Sequence, residues 1–260
     1  GLNRSLYGIE ALKIPFTPWL ISGADADTSA AGFQQTDSCT GYPQLHKFYV
    51  NDNSQTGDIF TTTTGNDNNR GDASAPFATL SRALSMAIPG DTIYIDAGTY
   101  TDNDSINNPV LISGAGQGLT FLIPGISKPT CEEGLSLCDS SSNVLMIRSD
   151  SITIKNLSID GNNPTLTSGV IIGSADIDAR NGIITDTSSG EFSSIIIDSV
   201  TIKNVYFRGL EVTNAGSFVF TNSLFENIQG DSTSAAIFNH GSSGVISNNN
   251  FSNVSGAIVS

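Results

Sequence analysis

Hydrophobic and polar positions alternate in short runs along the second half of the chain, and the runs recur. Segments starting at Ser151 (SITIKNLSIDGN), Ser194 (SIIIDSVTIKNV), Ser217 (SFVFTNSLFENI) and Ser243 (SGVISNNNFSNV) can be laid over one another. Alternation such as Ile152-Thr153-Ile154 is the period-two signature of a strand with one buried face. Ile154, Ile197, Phe220 and Ile246 then form one apolar column, and Ile159, Ile202, Phe225 and Phe251 a second. Between the columns lie Asn156, Ser199, Asn222 and Asn248, and after the second come Asn204, Asn227 and Asn253. Asn tolerates the left-handed backbone that a tight bend between strands demands. Stacked amides can also bond from one turn to the next. A third short apolar stretch follows each pair: Gly182-Ile183-Ile184, Gly209 to Val212, Ala236 to Phe238 and Gly256 to Val259.

The last three starts are about two dozen residues apart, the length of one solenoid turn. The pattern predicts an all-β fold, a right-handed parallel β-helix with three strands per turn. Ser151 to Ser194 is too long for one plain turn. It reads as a single turn carrying an inserted loop over 162–181, with two ordinary turns as the competing reading. Loops carry function in such scaffolds, which singles out Asp176, Asp178 and Arg180 in this insertion.

Ahead of the repeats the period changes. Leu80, Leu84, Ala87 and Ile88 share one face of a helix predicted over 78–88, within a cap at 76–89. Pro76 suits its first turn, Ser74 lies near the cap position, and Pro89-Gly90 ends it. Such a helix would cover the exposed end of the stack. The first strand is expected at Thr92 to Ile95.

Composition narrows the function classes. The 260 residues carry a net charge of −14 with only 14% charged side chains. Nucleic acid is excluded as a partner, because phosphate binding needs clustered Lys and Arg. The acidity suits divalent cations, basic partners or simple solubility. No apolar run approaches a membrane span, so membrane insertion is not expected. Cys131 and Cys138 bracket a short loop, a separation compatible with a local disulfide; free thiols are the alternative, and Cys39 has no evident partner. A structural disulfide would imply an oxidising, extracellular setting.

The run Pro76 to Leu80, the helix, and Gly90 to Tyr100 (GDTIYIDAGTY) resemble the N-terminal cap and first turn of pectate-lyase-like parallel β-helix proteins. They look particularly like modules of large bacterial secreted and cell-surface proteins. Val110 to Gly116 is similar to the second turn of that superfamily. Ile14 to Leu20 (IPFTPWL) resembles the closing sequence such modules carry after their last turn. The resemblance therefore implies two parts: residues 1–47 as the tail of a preceding module or an N-terminal extension, and 48–260 as the β-helix. Because the last repeat carries no capping pattern, the β-helix is expected to continue beyond 260 or to be covered by another chain. The superfamily hosts lyases, hydrolases, epimerases, adhesins and stalks, so fold alone does not assign an activity.

A polysaccharide lyase needs a base and a cation or metal to neutralise the substrate carboxylate. Lys203, Arg208 and Glu211 are the candidate catalytic set under that reading. A hydrolase needs convergent carboxylates; Asp160 and Asp198 are available but occupy different columns. Asp52, Asp58, Asp67, Asn69 and Asp72 offer hard oxygen ligands on Gly-punctuated turns and are candidates for a structural Ca²⁺. Asx turns are the competing account of the same residues. No other cofactor is expected. Sequons at Asn103, Asn156, Asn250 and Asn253, and the Asp-Ser pairs at Asp104, Asp150 and Asp198, are explained as well by bend composition. The leading expectation is a non-catalytic structural or adhesive module at the cell surface. Its expected partners are neighbouring modules, copies of itself or carbohydrate. A lyase or hydrolase acting on acidic polysaccharide, and a carbohydrate-binding module, are the alternatives.

Overall fold

A computed structural model describes residues 45–101, 103–125, 142–166, 179–186 and 191–260. Cys39, Cys131, Cys138, Asp176, Asp178 and the segment 1–44 lie outside the described residues. Every strand pairing between named strands is parallel, and the chain winds as a right-handed parallel β-helix.

One face is formed by β1 (Lys47–Val50), β2 (Thr92–Ile95), β5 (Leu111–Gly114), β8 (Thr153–Asp160), β10 (Ile195–Lys203), β12 (Phe218–Thr221) and β15 (Gly244–Ser247). The second holds β3 (Gly98–Thr101), β6 (Thr120–Ile123), the distal halves of β8 and β10, β13 (Leu224–Ile228) and β16 (Asn250–Val254). The third is β4 (Asp104–Ile106), β7 (Asn143–Ile147), β9 (Asn181–Thr185), β11 (Arg208–Thr213), β14 (Ala235–His240) and β17 (Ile258–Val259). β8 pairs directly with β10, and β9 supplies the third face between them. The long repeat is therefore one turn with an insertion, not two turns.

The columns read from the sequence stand in register. Phe48, Ile93, Ile112, Ile154, Ile197, Phe220 and Ile246 are successive partners. So are Tyr100, Leu122, Ile159, Ile202, Phe225 and Phe251. Leu145, Ile183, Leu210, Ile237 and Ile258 complete the interior from the third face. Up to β14 the strands bury their inner side chains against the other two faces and against the like residue one rung away. Phe225, for example, is fully buried with its ring stacked 5.3 Å from Phe251. In the coil of β15–β17 Ile246 and Phe251 are only partly buried and Ile258 is exposed.

The bends follow the Asn columns. Asn156, Ser199, Asn222 and Asn248 have φ of 57°, 55°, 54° and 56°, and Asn204, Asn227 and Asn253 have 53°, 55° and 52°. These are left-handed conformations, which Asn adopts at less cost than β-branched or bulky residues. Asn227 donates its amide to Asn204 Oδ1 at 2.9 Å, and Asn204 donates to Asp160 Oδ1 at 2.9 Å, an amide ladder ending on a carboxylate. In the first bend column Asn222 instead donates to Asp198 at 2.7 Å.

At the lower end the structure departs from expectation twice. β1 precedes the helix and pairs with β2, so the stack starts one rung earlier than Thr92. The helix α1 runs only over Leu80–Met86, capped by Thr79, whose side chain accepts from the Arg82 N–H at 3.1 Å. Pro76 and Ser74 stand outside it. The reason is local: Phe77 N–H donates to the Tyr49 carbonyl and its own carbonyl accepts from Asn51, both at 2.9 Å, so this segment is extended against β1. Leu80, Ala83 and Ala87 are the buried side of α1 and its exit. The helix packs on β1, β2 and β4, covering the core at that end.

Phe225→Ala should cost about 3–5 kcal/mol of stability in a denaturant titration, the usual penalty for deleting a buried aromatic ring. A loss below about 1 kcal/mol would mean that this column does not carry the packing.

Candidate functional site

The three side chains nominated for lyase chemistry do not form one site. Lys203 ends β10, where its ammonium lies 3.1 Å from Asp160 Oδ2 and 5.7 Å from the Phe121 ring centroid. Asp160 is thus engaged by Lys203 and by Asn204. Arg208 and Glu211 belong to the next face. They are brought together, with Arg208 Nε 3.8 Å from Glu211 Oε2, and both are buried.

Around that pair the structure assembles residues that the sequence pattern does not group. The Arg208 guanidinium sits 3.8 Å from the Phe207 ring and 4.3 Å from the Phe238 ring, between two aromatic faces. Its Nη1 also donates to the Thr233 carbonyl. Arg180, fully buried, lies 4.6 Å from the Phe207 ring centroid and 5.3 Å from that of Tyr206. A desolvated guanidinium recovers from the ring quadrupoles only part of what it loses in leaving water. Burial holds the Arg208 pKa below its ordinary value; the Glu211 and Asp231 carboxylates offset this only in part, and the like charge of Arg180 adds to the lowering. The arrangement is a packed cation–aromatic stack spanning three turns. Arg180, singled out in the insertion, belongs to it. Tyr206 and Phe207 were not singled out in the sequence, because Arg180 and Phe238 reach this cluster only from neighbouring turns.

Asp198 lies outside both groups. Burial opposes its ionisation, but hydrogen bonds from Asn222, Thr221 and Ser199 and the charge of Lys155 hold its carboxyl below the ordinary value. Asp160 and Asp198 stay in separate columns, opposite Lys203 and Lys155 respectively.

The acidic residues before the helix are distributed among local tasks. Asp67 accepts from the Ala78 and Thr79 N–H groups at 2.8 and 3.0 Å and from the Thr79 hydroxyl at 2.9 Å, which fixes the entry to α1. Asp72 accepts from the Ser74 hydroxyl at 2.7 Å and pairs with Arg70 at 2.9 Å. The Ser74 hydroxyl holds the Asp72 carboxyl below its usual range. Asn69 donates to the Pro76 carbonyl at 2.8 Å, and Asp52 accepts from the Ser54 N–H at 2.7 Å. Asp58 accepts from the Asn51 amide at 2.7 Å. The five nominated metal ligands therefore do not converge, and among the described residues no three Asp, Glu, His or Cys side chains gather around a common metal position. Asp96, which was not among the sequence-nominated candidates, is a heavily used carboxylate. Buried after β2, it accepts from the N–H groups of Ile59, Phe60, Thr61 and Ala97 and from the Thr61 hydroxyl. Its one signal in the sequence is an acidic residue placed between a strand and the Ala97-Gly98 turn.

Comparison with known proteins agrees with the fold. A family described as "Protein of unknown function (DUF1565)" matches residues 63–256. None of the curated proteins matches the sequence. Among solved structures, pectin methylesterase PemA from Erwinia chrysanthemi is similar with a TM-score of 0.54 at 13% identity, covering 80% of this chain and 56% of that one. A pectin methylesterase in complex with a hexasaccharide gives a TM-score of 0.46 at 14% identity, over 80% of this chain and 67% of that one. The chain thus spans little more than half of PemA, and at 13% identity that likeness concerns the fold alone. Among the described residues no helix is long and apolar enough to cross a membrane.

The depressed Asp198 pKa fixes the sign of an acid effect. Its contribution to stability is present above the unfolded aspartate value of about 3.9 and is lost as pH falls through the lower folded value. Asp198→Asn should flatten the acid limb of a stability-against-pH curve measured by denaturant unfolding; an unchanged limb would contradict the assignment.

Proposed function

The chain belongs to the DUF1565 family, and from that premise we propose that it is a non-catalytic extracellular β-helix module, structural or adhesive, of a larger bacterial surface protein or filament. One observation carries this reading: among the described residues, the polar groups nominated for sugar chemistry are engaged in holding the coil together. Lys203 is matched by Asp160, Arg208 is enclosed by Phe207, Phe238 and Glu211, and Asp198 is held by Thr221 and Asn222. A general base must reach a substrate proton, and a cation that neutralises a uronate must be free to meet it. Neither Lys203 beside its carboxylate nor the enclosed Arg208 suits those roles. Low charge content, Asn-rich bends and an acidic surface suit a soluble spacer that presents its outer faces to neighbouring modules, copies of itself or glycans.

The test is incubation with polygalacturonate, its methyl ester and neutral plant and microbial glycans, followed by ultraviolet and reducing-end assays. The reading predicts no unsaturated product, no released methanol and no new reducing ends. Turnover that disappears in Lys203→Ala would overturn it in favour of an enzyme.

A further inference from the structure

Two buried oxygens at the lower end of the stack have no hydrogen-bond donor: Asn51 Oδ1 and Asp58 Oδ1. Asn51, directly after β1, is fully buried. Its amide nitrogen donates to Asp58 Oδ2 at 2.7 Å and to the Thr63 carbonyl at 2.8 Å. Both partners are acceptors, so the amide cannot be turned over without setting its oxygen against them. The nitrogen edge is thereby fixed, and the carboxamide lies against the carboxylate with one oxygen of each group unmatched. A buried acceptor that gives up water and gains nothing is unfavourable unless something else occupies it.

Charge at this point is one-sided. Burial pushes the Asp58 carboxyl up from its ordinary value, the Asn51 hydrogen bond opposes this, and the Asp96 and Asp52 carboxylates add to the rise. The buried Tyr100 hydroxyl is raised by burial and then by the same carboxylates, Asp52, Asp96 and Asp58. Asp96 cannot turn away to relieve the crowding, since the 59–61 backbone holds it. Asp52 is confined too: a Cβ on Gly98 would fall 2.4 Å from its Oδ2.

We propose that Asn51 Oδ1 and Asp58 Oδ1 are the side-chain half of a site for a hard divalent cation, Ca²⁺ by its chemistry. Ca²⁺ accepts amide and carboxylate oxygens together, in irregular shells completed by main-chain carbonyls and water. Asp52 and Asp96 supply supporting negative charge without direct ligation. The ion neutralises the excess charge and ties the 51–65 loop to the first strand. The site differs from the sequence-nominated set, keeping Asp58, adding Asn51, and leaving Asp67, Asn69 and Asp72 to their turns. It goes beyond the proposed function and does not depend on it.

The full chain, freed of metal with chelator and held at pH 7 and constant ionic strength, is titrated with CaCl₂ by calorimetry and melted with and without the ion. One saturable site and a higher Tm are expected. Asp58→Asn should weaken binding about ten-fold or more, because it removes the charged ligand. Asp72→Asn should keep both effects. Should Asp58→Asn fold poorly, Asn51→Asp provides a second test: it adds a charged ligand, so it should bind Ca²⁺ more tightly and depend on it for stability. Absence of saturable binding, or equal binding in Asp58→Asn, would overturn the proposal. So would a Ca²⁺-indifferent protein with a protonated-carboxyl infrared band lost in Asp58→Asn, which would assign a shared proton instead.

Discussion

The register of one coil on the next is the constraint on which everything else rests. Parallel strands about 4.8 Å apart place each side chain directly over its counterpart. Shape and polarity must therefore match down a column, not only along a strand. Apolar columns close the interior, Phe225 on Phe251 and Phe220 beside Ile197 and Ile246. Polar columns close the corners, because a bend that needs positive φ needs it again at the same place in the following coil. A one-residue slip would turn the Ile and Phe columns outward and put the Asn corners on the wrong residues.

This explains which parts of the fold could be read from the sequence. Repetition is visible wherever the chain returns on a short path, so the columns at Ile154, Ile197 and Phe220, the Asn bends and the third-face strands match the structure. The inserted stretch after Asp160 broke the spacing, yet Gly182-Ile183-Ile184 still marked the third face because Gly209 pairs into the same column. The helix boundary was less legible. Periodicity alone extends it to 78–88, whereas Asp67 and the pairing of Phe77 with β1 delay its start to Leu80. Those determinants lie more than ten residues away and leave no mark on the local pattern.

Site chemistry was less accessible for the same reason. Lys203, Arg208 and Glu211 are close in sequence but divide between two faces when the chain turns at Asn204. Arg180, the Phe207-Arg208 pair and Phe238 are far apart in sequence yet form one stack, since they come from three successive coils. In a solenoid, neighbours in space are separated by a whole turn, so charged triplets read along the chain are poor guides. The carboxylates tell a similar story. Asp96 and Asp67 each gather backbone N–H groups from distant loops and act as internal fasteners.

The vertical register can be tested directly at two outward-facing positions, leaving the core untouched. Val219 and Val245 are partners on β12 and β15 and are 38% and 54% exposed. With the native cysteines replaced by serine, Val219→Cys/Val245→Cys should oxidise to an intramolecular disulfide in the folded protein, since paired strands meet the Cα separation of about 4.4–6.8 Å that the bond requires. Rapid intramolecular cross-linking, absent from an Ile196→Cys/Val245→Cys control two coils apart, is the result that stacked coils predict. Failure of the first pair to cross-link in folded protein, or equal cross-linking of the control, would contradict it.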